Sequence, residues 1–334
     1  MNKFSFRATL AILLATFLSI WLPSVSQAWA GNGPSNGLSP SEAASRLNLL
    51  LKKELVKPDS GSNSSVIPQV DDELFLRRVT LDILGRNPTT EELTLFALDS
   101  SADKRSSLVT RLLGDADYGR NWARYWRDVI FYRKTEERSG IATGACEKFL
   151  TEELNKNTPW DQIARAFITA SGDVQEQGSA ALIMAQSGKP EETVAEVSRI
   201  FMGIQIQCAQ CHDHPTDRWK REQFHELAAF FPRVAIRRDG SVRPAKFFVV
   251  VNDREAGGPG RVNANQRVVG TPEHRMPDMD DPSAAGTVMK PVFFVNGKTM
   301  PLGTKDADRR GALADWVTAG DNPWFAKAIV NRMW

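Results

Sequence analysis

The sequence predicts a mainly α-helical fold with a small β-rich insert. Helix-start signals recur along the first two thirds of the chain, each followed by apolar residues spaced three and four apart. Beyond residue 231 the pattern changes to short apolar runs separated by Gly, Asp and Asn turns, which is typical of strands and hairpins. The composition, 42% hydrophobic and 25% charged, is that of an ordinary globular protein.

The first 30 residues predict a signal peptide. Lys3 and Arg7 precede an apolar run over residues 8–22, and small residues at positions 28 and 30 offer a cleavage site. The apolar run is shorter than the roughly 20 residues that a membrane span needs, so cleavage is favoured over anchoring. We therefore predict a periplasmic or secreted protein that keeps no stable membrane span once residues 1–30 are removed.

Residues 31–70 are predicted to form a linker and one N-terminal helix. Ser39, Pro40 and Glu42 give that helix a capping residue, a first-turn proline and a capping-box acid. Residues 71–231 carry repeated helix signals and are predicted to form one helical domain that contains the Cys/His motif described below. The signals lie at Asp71–Leu84, at Thr89 with Glu92, at Leu108–Leu113, at Thr158–Pro159 and over Pro190–Gln207.

The predicted β-rich insert spans residues 232–304. Its strands and hairpin turn are expected at residues 234–236, 247–251, 292–295 and 296–297. Helical spacing returns over residues 305–334 and stops at Trp334 without a capping residue. A natural domain seldom ends in this way, so the stop indicates a fragment or an early stop.

One short motif carries the most specific chemistry in the chain. Cys208, Cys211 and His212 form a Cys-x-x-Cys-His run, which is the attachment signal of c-type haem in exported proteins. In that chemistry both thiols bind the haem covalently and the adjacent imidazole is the proximal ligand of the iron. The third cysteine, Cys146, lies on a predicted helix and is expected to be a small buried residue.

Zinc is the alternative cofactor at the same motif. The run continues as Cys-His-Asp-His-Pro, so that Cys208, Cys211 and His214 follow one another at intervals of three residues. Thiolates and imidazoles are ligands that zinc prefers, and His225, His212 or Asp217 could complete a tetrahedral set. Four protein ligands would make a structural site, whereas three with a water would make a hydrolytic one. The spacing leaves haem and zinc both open.

A haem at this motif raises the question of the distal iron ligand. The candidate distal ligands downstream are Met276, Met289 and His274. His214 stands only two residues beyond His212 and therefore cannot reach the opposite face of the haem. His225 lies on a predicted helix over residues 219–231, where a solvated position at the helix surface is expected.

Several sequence blocks resemble a known family. They are FLRRVTLDILGRNPTTEEL from Phe75, YGRNWARYWRDV from Tyr118, NTPWDQIARAFITASG from Asn157 and CAQCHDHPTDRWKREQFHELAAFF from Cys208. In this order they resemble the planctomycete-type cytochrome-c-related domain of unknown function. Residues 309–334 resemble the start of the domain that usually follows it, and the resemblance implies that residues 305–334 are the truncated start of that second domain. The resemblance implies an exported protein with a cytochrome-c-like motif, and it implies no known reaction.

Three functional hypotheses follow from the sequence. The first is an exported haem-c protein with an electron-transfer or redox role, acting with a redox partner protein or with other exported domains. The second is a zinc-binding module, structural or hydrolytic, of a cell-surface or polymer-processing assembly. The third is a noncatalytic interaction domain whose Cys/His cluster only stabilises the fold. Nucleic-acid binding is not expected, because the formal charge of +2 disappears with Lys3 and Arg7 and no basic cluster follows.

Overall fold

The computed structural model describes residues 39–55, 69–253 and 273–333. The predicted signal peptide over residues 1–30 lies outside the described residues. Contacts divide the chain into one unit that ends at Val70 and another that begins at Asp71. The described part of the first unit contains helix α1, Pro40–Leu55. Its predicted capping box is present, since Ser39 N–H donates to the Glu42 carboxylate over 2.8 Å.

The second unit is mainly helical, which confirms the predicted fold class. Its helices are α2 (Asp72–Leu84), α3 (Thr90–Leu98), α4 (Lys104–Leu113), α5 (Ala116–Phe131), α6 (Thr143–Asn155), α7 (Trp160–Thr169), α8 (Ala181–Ala185), α9 (Pro190–Val197), α10 (Arg221–Ala228), α11 (Asp306–Val317) and α12 (Pro323–Met333). Helix α3 begins with the predicted capping box between Thr89 and Glu92. Within the described ranges, no helix is both long and apolar enough to cross a membrane.

The helices enclose two apolar cores. The smaller core lies between α2, α3 and α4 and consists of Leu76, Leu84, Phe96, Leu108 and Leu112. The larger core is formed by α5 to α11 together with the first strands. Trp126 on α5 packs in it against Trp160, with 4.2 Å between ring centroids. The aromatic face of α5 therefore serves packing, as aromatic residues at helical spacing commonly do.

Three small antiparallel sheets complete the described fold. Strand β3 (Lys246–Val251) pairs with both β1 (Gly172–Asp173) and β2 (Val234–Asp239). The other two sheets are pairs of two-residue strands: β4 (Arg275–Met276) with β5 (Thr287–Val288), and β6 (Val292–Phe293) with β7 (Lys298–Thr299). The strands predicted near residues 234, 247 and 292 are present. Strand β1 was not predicted, because two residues give no sequence pattern.

The single helix predicted over residues 190–207 is wrong in its extent. Helix α9 ends at Val197, a π-helical turn follows over Ser198–Met202, and Gly203 takes a left-handed conformation with φ of 68°. The N–H of Gly203 donates to the carbonyl of Ser198, which closes the helix end. A separate 3₁₀ helix, Ile206–Gln210, then leads into the motif.

Residues 305–333 pack on the helical body. Arg309 is fully buried and donates to the carbonyl of Ala229 over 3.0 Å. Arg310 is 2% exposed and donates to the carbonyls of Ile168 and Ala170, at the end of α7, over 3.0 and 2.7 Å. Helix α11 is therefore hydrogen-bonded to the rest of the second unit. The predicted domain boundary at residue 305 stays a prediction.

Candidate functional site

The two motif thiols lie on the surface at a short 3₁₀ helix. Ile206 and Ala209 of that helix are buried, whereas Cys208 and Cys211 are exposed and are not joined in a disulfide. Residues three apart lie on the same side of a 3₁₀ helix, which explains why both thiols face solvent together. Cys146 is buried in α6, as predicted, and burial raises the pKa of its thiol to about 12.

The imidazole of His212 is in the form that a metal ligand needs. Its Nδ1 lies 2.6 Å from the carbonyl oxygen of Asp213. A carbonyl oxygen only accepts, so Nδ1 carries the proton, and in the neutral ring Nε2 keeps its lone pair. Histidines that bind metals through one nitrogen usually donate from the other nitrogen to a carbonyl or carboxylate. Nε2 of His212 is thus available to an iron.

The imidazole of His214 has the opposite proton position. Its Nδ1 accepts from the backbone N–H groups of Thr216 and Asp217, over 3.3 and 3.0 Å. In the neutral ring the proton is therefore on Nε2, and the lone pair is used inside the turn. The backbone N–H of His214 also donates to the backbone carbonyl of Trp219 over 2.8 Å. His214 shapes this loop and does not present a free lone pair.

His225 is not at a solvated helix surface, in contrast to the expectation from sequence. It is 1% exposed, because α10 turns it inward beside Phe224 and Leu227. Its Nε2 lies 3.0 Å from the carbonyl oxygen of Gln210, inside the motif. Its Nδ1 lies 2.9 Å from Nε2 of His274. Both ring nitrogens of His225 therefore take part in hydrogen bonds.

His274, one of the predicted distal ligands, is the partner of His225. It is 4% exposed, and its Nδ1 lies 3.8 Å from a carboxylate oxygen of Glu191. The two imidazoles stack with 5.2 Å between centroids. Burial lowers the pKa of each from the ordinary 6.5 to about 4, although the Gln210 carbonyl opposes the shift at His225. Both rings are neutral at pH 7.

The two methionines predicted as distal ligands lie on the same side of the fold as His274. Met289 is buried, and its N–H donates to the carbonyl of His274 over 2.9 Å. Met276 is half-buried in β4. Nε2 of His274 faces His225 and its Nδ1 faces Glu191, so neither nitrogen is open to an iron in this arrangement. The distal ligand stays a prediction.

The four residues predicted to hold zinc are not assembled in the described part of the chain. There, no group of three or more His, Cys, Asp or Glu side chains is placed to bind a metal ion. Cys208 and Cys211 are exposed, His214 uses Nδ1 in its own turn, and His225 is hydrogen-bonded through both nitrogens. Zinc binding at these residues stays a prediction.

Two anchors, Asp213 and Trp219, hold the loop after the motif, and the sequence did not predict the burial of Trp219. The carboxylate of Asp213 pairs with Lys220 over 2.6 Å and accepts the N–H of Arg221, and Lys220 is the main cause that lowers the pKa of Asp213. Trp219 is buried, with ring centroids of Phe294 and Trp324 at 4.8 and 6.2 Å. In the sequence, the signal for this buried anchor is Trp219 itself, a single large apolar residue at the end of a polar run.

Comparison with known proteins places this site in a family. Residues 59–235, more than half of the chain, match the PSCyt2 family model, described as a protein of unknown function (DUF1549). The chain belongs to the PSCyt2 family. In this PSCyt2-family protein the matched range contains the Cys208–His212 motif and His225, and it ends before His274. No curated protein and no solved structure matches the chain.

Proposed function

We propose that this PSCyt2-family protein is an exported c-type-haem protein with an electron-transfer or redox role. Cys208 and Cys211 would hold the haem through thioether bonds, and His212 would ligate its iron through Nε2. The observation that supports this most directly is the hydrogen bond from His212 Nδ1 to the Asp213 carbonyl, which leaves Nε2 unprotonated. Two free, exposed thiols, Cys208 and Cys211, precede that imidazole in the motif.

The residues of the chain fit the attachment chemistry. Cys208 and Cys211 would each hold one vinyl group of the haem, by addition of the thiol S–H across the vinyl double bond with sulfur on one carbon and the proton on the other. No atom is lost and no oxidant is required. Bound haem supplies one-electron chemistry at its iron. The Asp213 carbonyl fixes the orientation of the His212 ring and makes Nε2 a better donor, because it accepts the Nδ1 proton.

Expression in a host with a c-type haem maturation system tests the proposal. We expect a red protein whose Soret absorption stays with the polypeptide after denaturation, because thioether bonds survive unfolding. The intact mass should exceed that of the bare chain by one haem. Cys208→Ala with Cys211→Ala should abolish covalent haem.

Cys146→Ala is the matched control for that experiment. It also removes a thiol, but from a buried position remote from solvent, and should leave haem attachment unchanged. A colourless wild-type protein from a host that matures a reference cytochrome would reject the proposal. Roughly one zinc per chain in that colourless protein would favour the zinc hypothesis instead.

A further inference from the structure

A chain of polar groups with two buried imidazoles at its centre lies beneath the motif. It runs from the carbonyl of Gln210 to His225, then to His274, and ends near the carboxylate of Glu191. The separations along it are 3.0, 2.9 and 3.8 Å. The two imidazoles are 1% and 4% exposed. Burying an imidazole is costly unless it is hydrogen-bonded, and here His225 is hydrogen-bonded through both ring nitrogens and His274 through one.

The proton positions in this chain follow from its first link. Gln210 contributes a carbonyl oxygen, which only accepts, so His225 donates from Nε2. The neutral ring of His225 then accepts at Nδ1, and His274 must donate from its own Nε2. Nδ1 of His274 is left as an acceptor facing Glu191. The chain thus has one direction, with every donor pointing towards the motif.

The geometry indicates positioning and not proton transfer. A backbone carbonyl cannot pass a proton on, so the chain ends at Gln210. Gln210 lies between the two cysteines and directly precedes Cys211 and His212. His225 is on α10 and His274 lies beside β4, so the two hydrogen bonds tie the motif backbone to two separate elements. These hydrogen bonds restrain Gln210 and, through the backbone, the second thiol at Cys211 and the proposed iron ligand His212.

We propose that His225 and His274 are positioning residues for haem attachment, which rests on the proposed function. His225 fixes the Gln210 carbonyl and thereby the direction of Cys211 and His212. His274 fixes the His225 ring by donating to its Nδ1. Groups that orient a metal ligand from behind typically change affinity or activity by roughly 10–100-fold when they are removed. Attachment at Cys211 should depend on this support more than attachment at Cys208, because Gln210 directly precedes Cys211.

Paired substitutions at each histidine separate the hydrogen bond from packing. His225→Gln keeps an N–H donor near the position of Nε2, whereas His225→Leu removes it. His274→Gln and His274→Leu make the same comparison one step further from the motif. Each full-length variant would be produced in the maturation host under limiting haem supply. The readouts are covalent haem per chain and the α-band of the pyridine haemochrome, which moves to longer wavelength when one vinyl group remains unreacted.

We expect His225→Leu to reduce covalent haem roughly tenfold, with the remaining haem attached through one thioether. His225→Gln should recover most of the yield and the two-thioether band. A variant that merely loses stability would lose haem without any shift of the band. In the apo-protein at pH 7, ¹⁵N imidazole shifts should place a proton on Nε2 of both His225 and His274.

The outcomes distinguish this inference from the proposed function. A wild-type protein without covalent haem rejects the proposed function, and the inference with it. Normal wild-type attachment together with unchanged yield and band in both leucine variants overturns the inference alone. Imidazole shifts that put the protons on Nδ1 of either ring would also overturn it, because the chain would then run the other way.

Discussion

His212 and His214 are two residues apart, yet the backbone gives their rings opposite proton positions. His212 donates from Nδ1 to a carbonyl, whereas His214 accepts at Nδ1 from two N–H groups. The sequence predicted His212 as the iron ligand from its place in the motif. It could not assign the tautomers, because they depend on which backbone groups the turn after Cys211 directs at each ring.

Substitution of each histidine tests this difference in haem-loaded protein. His212→Ala should remove the proximal ligand and change the Soret and α-band absorption strongly. His214→Ala should leave the spectrum nearly unchanged and lower the melting temperature slightly, since it removes two hydrogen bonds to the turn. His214→Asn restores an acceptor near the position of Nδ1 and should recover that stability. A larger spectral change from His214→Ala than from His212→Ala would contradict these assignments.

At the scale of elements, the sequence predicted helix starts better than helix ends and burial. The capping boxes at Ser39 and Thr89 are present, because caps are local in sequence. The helix predicted to reach Gln207 instead stops near Gly203, whose left-handed conformation depends on the chain beyond it. His225 was expected in solvent, and its burial depends on residues near β4 that local patterns do not reveal.

The junction of α9, α10 and β4 should make the fold sensitive to mild acid. Burial lowers the pKa of His225 and His274 to about 4, so the unfolded chain takes up their protons from about pH 6.5 downwards and the folded chain does not. These two groups should therefore leave the free energy of unfolding unchanged above about pH 7 and lower it as the pH falls from about 6.5 to 5, by at most about 1.4 kcal/mol per pH unit for each histidine. Urea unfolding at a series of pH values measures this slope.

The double variant His225→Gln with His274→Gln is the control for that slope. It lacks both buried imidazoles, while His212 and His214 remain in place. Its free energy of unfolding should vary less between about pH 6.5 and 5 than that of the wild type. Equal slopes for the two proteins would show that other groups control the acid sensitivity.

At the scale of the whole molecule, the C-terminal helices hold the body through buried arginines. Arg310 reaches the two carbonyls at the end of α7 and pairs with the buried carboxylate of Asp306 over 2.5 Å. The sequence showed an Arg-Arg pair at the start of a helical pattern and predicted a separate domain there. Charged residues usually indicate a surface, so their burial against α7 could not be inferred from the pattern.

Removal of the Arg310 side-chain charge tests how much the contacts of α11 with the rest of the second unit contribute to the free energy of unfolding. Arg310→Met leaves the Asp306 carboxylate buried without its partner and two carbonyls without a donor. We expect the free energy of unfolding to fall by about 3–5 kcal/mol. Lys327→Met removes a charge from an exposed position on α12 and should change it by less than about 0.5 kcal/mol. Equal, small effects of the two changes in denaturant titrations would show that residues from 305 onward contribute little to the body.

Trp219, in the motif loop, packs against residues that lie far downstream in the sequence and are therefore synthesised much later. Its ring lies against Phe294 and Trp324, and the His225 ring beneath Gln210 depends on His274. A nascent chain that has just passed Cys211 therefore exposes the motif before any of these supports exist. If haem is attached as proposed, attachment at that moment would meet an unrestrained peptide, and we therefore expect productive attachment after synthesis is complete. For the same reason, we expect the motif with only its flanking residues to accept haem less efficiently than the full-length protein.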